Sequence, residues 1–421
     1  MLSRRVPPVT RMLLGASAMT TLGTLPVFLL SSQSVFVRSE LGFDETRFGV
    51  AVSAFFAAAA TTALLGGGLA DRLGRRTSTV VAGLVAAAGG LGVALVAHSF
   101  PVLVALMVVL GVANAACQVT SNLTMARAVP PHRRGLGFGV KQSAIPLSIM
   151  VAGLAVPTVG VLVGWRGTFV FTGVAGLLAA LSGLRLPRGG PDRAPAAAER
   201  DAPSMAALVT AAVAITVASA AANSLGAFLA SWGFRVGLSP SQAGVLMATG
   251  SALNIVVRVV AGHLADRRHG RNLPVVAVQM LVGAVAVAVL SVPSPYAVVP
   301  AGLVAFAVGW SWPGLLLYAV VRVGRDAPGV ATGMVQAGAF VGGAAGPALF
   351  GALVGATGYE TAWRAAALLF LVAALLVLLA RRMFIADLVA RPPVQPFGYG
   401  GGRGSPARTT SRGVTSRDSA S

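Results

Sequence analysis

Apolar runs of membrane-spanning length recur twelve times along this chain, and no other feature constrains its fold as much. A helix needs about 20 predominantly apolar residues to cross the hydrocarbon core of a bilayer. Read in that window, the sequence predicts spans at 12–36, 46–70, 77–98, 101–127, 138–163 and 166–185. A second set follows at 205–231, 242–265, 273–292, 296–320, 329–355 and 361–381. Within lipid each segment must satisfy its own backbone N–H and C=O groups, so the runs are expected to be helices and the chain an all-α membrane protein. Composition agrees: 56% of the 421 residues are hydrophobic and only 10% are charged, against about 25% charged in soluble domains.

The net charge of +20 raises the question of nucleic acid, but its placement answers it. All 12 acidic residues fall in expected loops, tails or span ends, and no basic groove with interleaved aromatics appears. Of the 32 Lys and Arg, Arg38, Arg47, Arg166, Arg235 and Arg364 fall on one side of the membrane. Lys141 and Arg258 fall within spans, and the remaining 25 lie on the other side with both termini. The positive-inside rule therefore predicts a plasma-membrane protein with both termini cytoplasmic. The one cysteine, Cys117, excludes an intramolecular disulfide, and the four histidines form no cluster with metal-ligand spacing, so no metal or cofactor is expected. Arg4, Arg5 and Arg11 precede the first apolar run in the manner of a signal peptide, but the run is longer than a signal core and is expected to remain as the first span.

A short charged sentence occurs twice. Gly67-Gly68-Leu69-Ala70-Asp71-Arg72-Leu73-Gly74-Arg75-Arg76 returns as Gly262-His263-Leu264-Ala265-Asp266-Arg267-Arg268-His269-Gly270-Arg271. Gly42 and Gly237, Gly49 and Gly244, Arg127 and Arg322, Gln142 and Gln336, and Trp165-Arg166 and Trp363-Arg364 match in the same order. Two pseudo-symmetric six-helix bundles follow, at 1–186 and 205–385. A Pro- and Ala-rich linker at 187–204 joins them, and a disordered basic tail at 386–421 follows the second. Asp71 and Asp266 lie just past helix ends, where a carboxylate can meet another helix's free N–H groups. Arg127 and Arg322 end spans on the same membrane face and are natural ion-pair partners. Such a cluster would latch the bundles in one state and break in the other.

These residues resemble the Gly-x-Leu-Ala-Asp-Arg-x-Gly-Arg-Arg signature of the major facilitator superfamily, with one inserted residue before Gly270 in the second copy. The resemblance covers about residues 10–385. It implies alternating access around a central cavity lined by helices 1, 4, 7 and 10, with contributions from 2, 5, 8 and 11. It also implies that Gly67, Asp71, Arg72, Gly74, Arg75, Arg76 and Arg127, with Gly262, Asp266, Arg267 and Arg322, act as gates and structural elements rather than as substrate ligands.

Polar residues inside spans are the candidates for cargo contact. Lys141 is the only lysine in the chain. A charge at a helix centre costs roughly 2.5–3.5 kcal/mol on insertion scales, so it faces a cavity, a partner or, by snorkelling, the interface. Arg258 lies at similar depth in the opposite bundle. Asn254, four residues earlier, gives a pair that resembles the Asp-Arg pair of monocarboxylate transporters with the acid replaced. Asn114 and Gln118 share one face of helix 4, and Gln142, Asn223 and Gln336 are further lining candidates, although interhelical hydrogen bonding would use the same amides. No Asp or Glu lies in a span core. The leading expectation is therefore a transporter of a small anionic solute, acting as a monomer in the lipid bilayer, with Lys141 and Arg258 binding the negative group. The alternative is proton-coupled efflux of amphipathic drugs. An enzyme is not expected, because no nucleophile–base pair lies within the membrane.

Overall fold

The computed structural model describes residues 8–128, 134–186, 203–267, 272–323 and 328–391; side chains at 8–11, 64–73, 122–128, 134–136, 138, 266–267, 328–330 and 332 fall outside that description. The described residues are helical nearly throughout and contain no strand. Twelve helices are long and apolar enough to cross a membrane. The first bundle comprises α1 (Met12–Ser32), α2 (Glu45–Ala63), α3 (Gly74–Val96), α4 (Phe100–Ser121), α5 (Gly139–Val163) and α6 (Trp165–Leu184). The second comprises α7 (Met205–Arg235), α8 (Pro240–Ala265), α9 (Asn272–Val289), α10 (Pro295–Val323), α11 (Gly333–Thr357) and α12 (Tyr359–Ala390). An even number of crossings puts both ends of the described chain on one side, the terminal side below.

Two boundaries differ from expectation for identifiable reasons. Between α2 and α3 the helix does not unwind into a loop; helical backbone continues from Glu45 to Val96 and breaks only at Gly74, whose φ of 70° needs a residue without Cβ. At the other end of the chain, α12 runs on to Ala390 instead of stopping near 381. Asp387 on this extension accepts a hydrogen bond from the Ser204 backbone N–H at 3.3 Å. It thereby places a carboxylate at the N-terminus of α7, where the helix dipole favours one. Linker residues 187–202 and tail residues 392–421 lie outside the described residues.

Side-chain hydroxyls hold the first bundle together. From α1, Thr20 reaches Ser121 at 2.9 Å, Thr24 reaches Ser148 at 3.0 Å, and Ser32 donates to the Ala152 carbonyl at 2.9 Å. Hydroxyls that bond across helices satisfy themselves without water, which suits packing inside lipid.

The duplication survives as geometry. Gly42 and Gly237 both adopt positive φ, 65° and 106°. Gly164 and Gly358, each immediately before α6 and α12, share a φ of 92°. The interval between this second pair equals that from Gln142 to Gln336, so the structure aligns Trp165 with Tyr359 rather than with Trp363. Gly49 and Gly244 make the tightest use of their missing side chains. A Cβ on Gly49 would sit 2.3 Å from the Pro347 carbonyl oxygen, and one on Gly244 would sit 2.6 Å from that of Gly153. Both are contacts between bundles, α2 on α11 and α8 on α5, on the side away from the chain ends. There Ser34 and Ser231 also meet across the bundles, Oγ to Oγ at 2.8 Å.

Candidate functional site

Two helices that face the centre of the molecule are irregular, and proline is the first cause. In α5 the Ser143 N–H donates to the Gly139 carbonyl and the Leu147 N–H to the Ser143 carbonyl. The intervening carbonyl of Gln142 has Pro146 four residues on, which has no N–H to give it. In α10 a π-helical turn spans Ala305–Gly309 and helix restarts at Trp312, with Pro313 next. Each irregularity frees backbone carbonyls inside the membrane, where an unsatisfied polar group is costly.

The side chains that satisfy them stand in one stripe on α8. At Gly250 the missing side chain admits Phe306 closely; an added Cβ would lie 2.9 Å from the Phe306 Cβ. One turn on, Asn254 Nδ2 donates to the carbonyls of Phe306 and, at 3.3 Å, Ala307. A further turn on, Arg258 donates through one terminal nitrogen to the Trp310 carbonyl and through the other to the Gln142 carbonyl, each at 2.6 Å. Both side chains are buried. Arg258 thus joins α10 of its own bundle to α5 of the other.

In front of this stripe, between the bundles, lies a cavity with roughly 780 Å³ of atom-free space, the open solvent at its mouth included. Thr24 and Phe28 of α1, Phe56 of α2, Asn114 and Gln118 of α4, and Gln142 and Ile145 of α5 line it from one bundle. Ile215, Ser219 and Asn223 of α7, residues 310–317 of α10 in part, and Val335, Gln336, Ala339 and Phe340 of α11 line it from the other. Among the described residues the lining is uncharged: rings and aliphatic side chains interrupted by amides and hydroxyls. The wall is continuous across the bundles, with Phe28 and Trp310 in edge contact at 6.0 Å between ring centroids.

The sequence-based candidates divide into two groups. Asn114, Gln118, Gln142, Asn223 and Gln336 all line the cavity. Lys141, Arg258 and Asn254 do not. Lys141 sits one layer back, with Nζ donating to Gln118 Oε1 at 3.2 Å. Asn254 and Arg258 are turned toward the carbonyls of α10 and α5, so α8, expected to contribute to the lining, contributes none of the side chains named above. The rings of Phe28, Phe56 and Phe340 were not legible as lining, because an apolar ring in a span looks the same whether it faces lipid, core or cavity.

The repeated charged loops are described only in part. Gly67, Asp71, Arg72, Arg127, Asp266 and Arg267 lie outside the described side chains, so their ion pairing is not among the contacts seen. Arg75 and Arg76 are half-buried. Gly262 is buried at the α5–α8 crossing, with its Cα 3.5 Å from where a Gly139 Cβ would lie. Arg322 lies over the Tyr318 ring at 5.8 Å.

Twelve spanning helices in two related bundles around a central cavity define a multi-pass membrane transporter. The family model of the Major Facilitator Superfamily matches residues 9–335 and 211–409, and the chain belongs to that superfamily. A chloramphenicol resistance protein of Streptomyces lividans is 31% identical over 359 residues, 81% of this chain and 88% of that protein. A hexuronate transporter of Bacillus subtilis is 29% identical over 149 residues, 35% of each chain. Among solved structures, a bacterial homologue of the human lysosomal transporter Spinster, in an inward-facing and unoccupied conformation, superposes with a TM-score of 0.69 at 15% identity, covering 91% of this chain and 99% of that one.

Proposed function

We propose that this transporter exports uncharged amphipathic small molecules with an aromatic or otherwise apolar body and a few hydrogen-bonding groups. The observation that carries this reading is the cavity wall. Rings and aliphatic side chains offer apolar burial, and Asn114, Gln118, Gln142, Asn223 and Gln336 offer amide donors and acceptors without a fixed charge. Mostly apolar sites with a few placed polar groups suit such ligands. Similarity to a chloramphenicol resistance protein over most of both chains supports the same class and the outward direction. The distribution of basic residues supports a plasma-membrane location with the terminal side in the cytoplasm.

The test uses purified protein in liposomes with chloramphenicol, an uncharged aromatic amide, as the probe. Saturable, protein-dependent movement of the probe is expected, together with greater tolerance in cells that overproduce the protein. Absence of both would overturn the reading.

A second reading, transport of a small organic anion, has one specific observation behind it. The Lys141 ammonium donates to Gln118 Oε1 at 3.2 Å, and Gln118 lines the cavity, so the charge lies directly behind one of the lining amides. The hexuronate transporter among the relatives supports it over a shorter stretch. Lys141→Gln separates the two: it abolishes movement of an anion such as glucuronate if the anion is cargo, and leaves chloramphenicol movement within about twofold if it is not.

A further inference from the structure

We propose that Arg258 is a positioning residue that couples closure of the terminal side to the geometry of the cavity wall, and that its bond to Gln142 is the contact that breaks when that side opens. Three observations meet at this side chain. Its two terminal nitrogens bind two backbone carbonyls, both at 2.6 Å, and those carbonyls belong to opposite bundles. Each carbonyl comes from an interrupted stretch of helix: Gln142 precedes Pro146 by one turn, and Trp310 lies between the π turn of α10 and the restart at Trp312. Finally, both residues so held line the cavity. Arg258 therefore grips from behind the wall the two positions that cargo touches from in front.

The two bonds are not equivalent. Trp310 and Arg258 move together, because α8 and α10 share a bundle. Gln142 belongs to the other bundle, so rotation of one bundle against the other can break only the second bond. Tight packing brings the arginine into range: a Cβ on Gly139 would lie 2.9 Å from the Arg258 carbonyl oxygen. When the terminal side opens, one nitrogen of Arg258 and the carbonyl of Gln142 lose each other and must be met by water or cargo, while the bond to Trp310 persists. The planar fork of arginine spans two fixed acceptors, which a single ammonium cannot do.

The test reads the opening directly, without reference to cargo. Spin labels are placed on Leu184→Cys and Val389→Cys, exposed sites on the terminal ends of α6 and α12, in a Cys117→Ser background that removes the lone thiol. Pulsed electron resonance then gives the inter-bundle distance distribution of ligand-free protein in lipid. Arg258→Met is expected to move the closed-to-open ratio about tenfold or more toward the long distance, the scale of one charge-assisted hydrogen bond. Arg258→Lys should fall between. Pro146→Ala keeps the arginine but supplies the N–H that the Gln142 carbonyl lacks, so it should shift the distribution in the same direction by less. A merely structural arginine would lower the unfolding temperature and leave the distance distribution of the folded protein unchanged. That result, or no shift in Pro146→Ala alongside none in Arg258→Lys, overturns the proposal.

Discussion

At the scale of single residues, a polar side chain inside a membrane span can serve cargo or backbone, and Asn254 serves backbone. Its amide covers two carbonyls left by the π turn of α10. Asn254→Leu keeps the volume and removes both bonds, so it should cost about 1–3 kcal/mol of stability. Thermal unfolding in detergent checks this, and an unchanged unfolding temperature would refute it. Because Asn254 does not line the cavity, chloramphenicol affinity should stay within about twofold of the parent. The sequence shows that Asn254 and Arg258 share a helical face, and that is correct. It does not show which way the face points, because the irregular backbone that attracts them lies some fifty residues away in α10. Asn114 and Gln118 share a face of α4 by the period of an otherwise apolar helix, but whether they and the amides of Gln142, Asn223 and Gln336 line a cavity or bond a neighbouring helix was equally open from the sequence.

At the scale of elements, the connections carry their own chemistry. The short helix Ser34–Leu41 is pinned to the start of α6 through Glu40. One carboxylate oxygen accepts from Trp165 Nε1 at 2.6 Å, and the other pairs with the Arg166 guanidinium. Arg166 also donates to the Ala97 carbonyl at 2.7 Å, tying in the turn between α3 and α4. The Arg166 hydrogen bond, ahead of the one from Trp165, holds the Glu40 carboxyl below the usual carboxylate range. A lowered value in the folded protein means that the clamp contributes fully above the unfolded value of about 4.3 and is lost as pH falls through the folded one. The unfolding-temperature difference between the parent and Glu40→Gln should therefore be constant above about pH 5 and shrink as the medium is made more acidic. A difference that grew toward low pH would contradict the assignment. Helix count and order were legible from apolar length alone. The continuous turn through Gly74, the extension of α12 and the breaks in α5 and α10 were not, because each depends on a partner supplied by another helix.

At the scale of the whole molecule, the two halves repeat one design and differ where cargo and closure are handled. Gly49 against Pro347 and Gly244 against Gly153 are the same contact made twice, once in each pairing of bundles. Gly49→Val and Gly244→Val should each force the bundles apart on the side away from the chain ends. Overpacking of this kind costs about 1–3 kcal/mol, enough to cut transport in liposomes roughly tenfold. Equal effects from the two variants would follow from the repeat, whereas loss from only one would mean that the halves have diverged in this function.

Two backbone contacts also define a line, and bodies that keep both contacts can turn only about it. Distance from that line then decides how far each part of the protein travels. Arg258 lies fourteen residues along α8 from Gly244, roughly 21 Å at 1.5 Å per residue. A turn of roughly 10° carries a point on an arm of that length through roughly 4 Å, more than the whole length of its bond to Gln142. The lever that opens the terminal side is long at the latch and short at the pivot, so a rotation small enough to preserve the glycine contacts is already large enough to release the arginine.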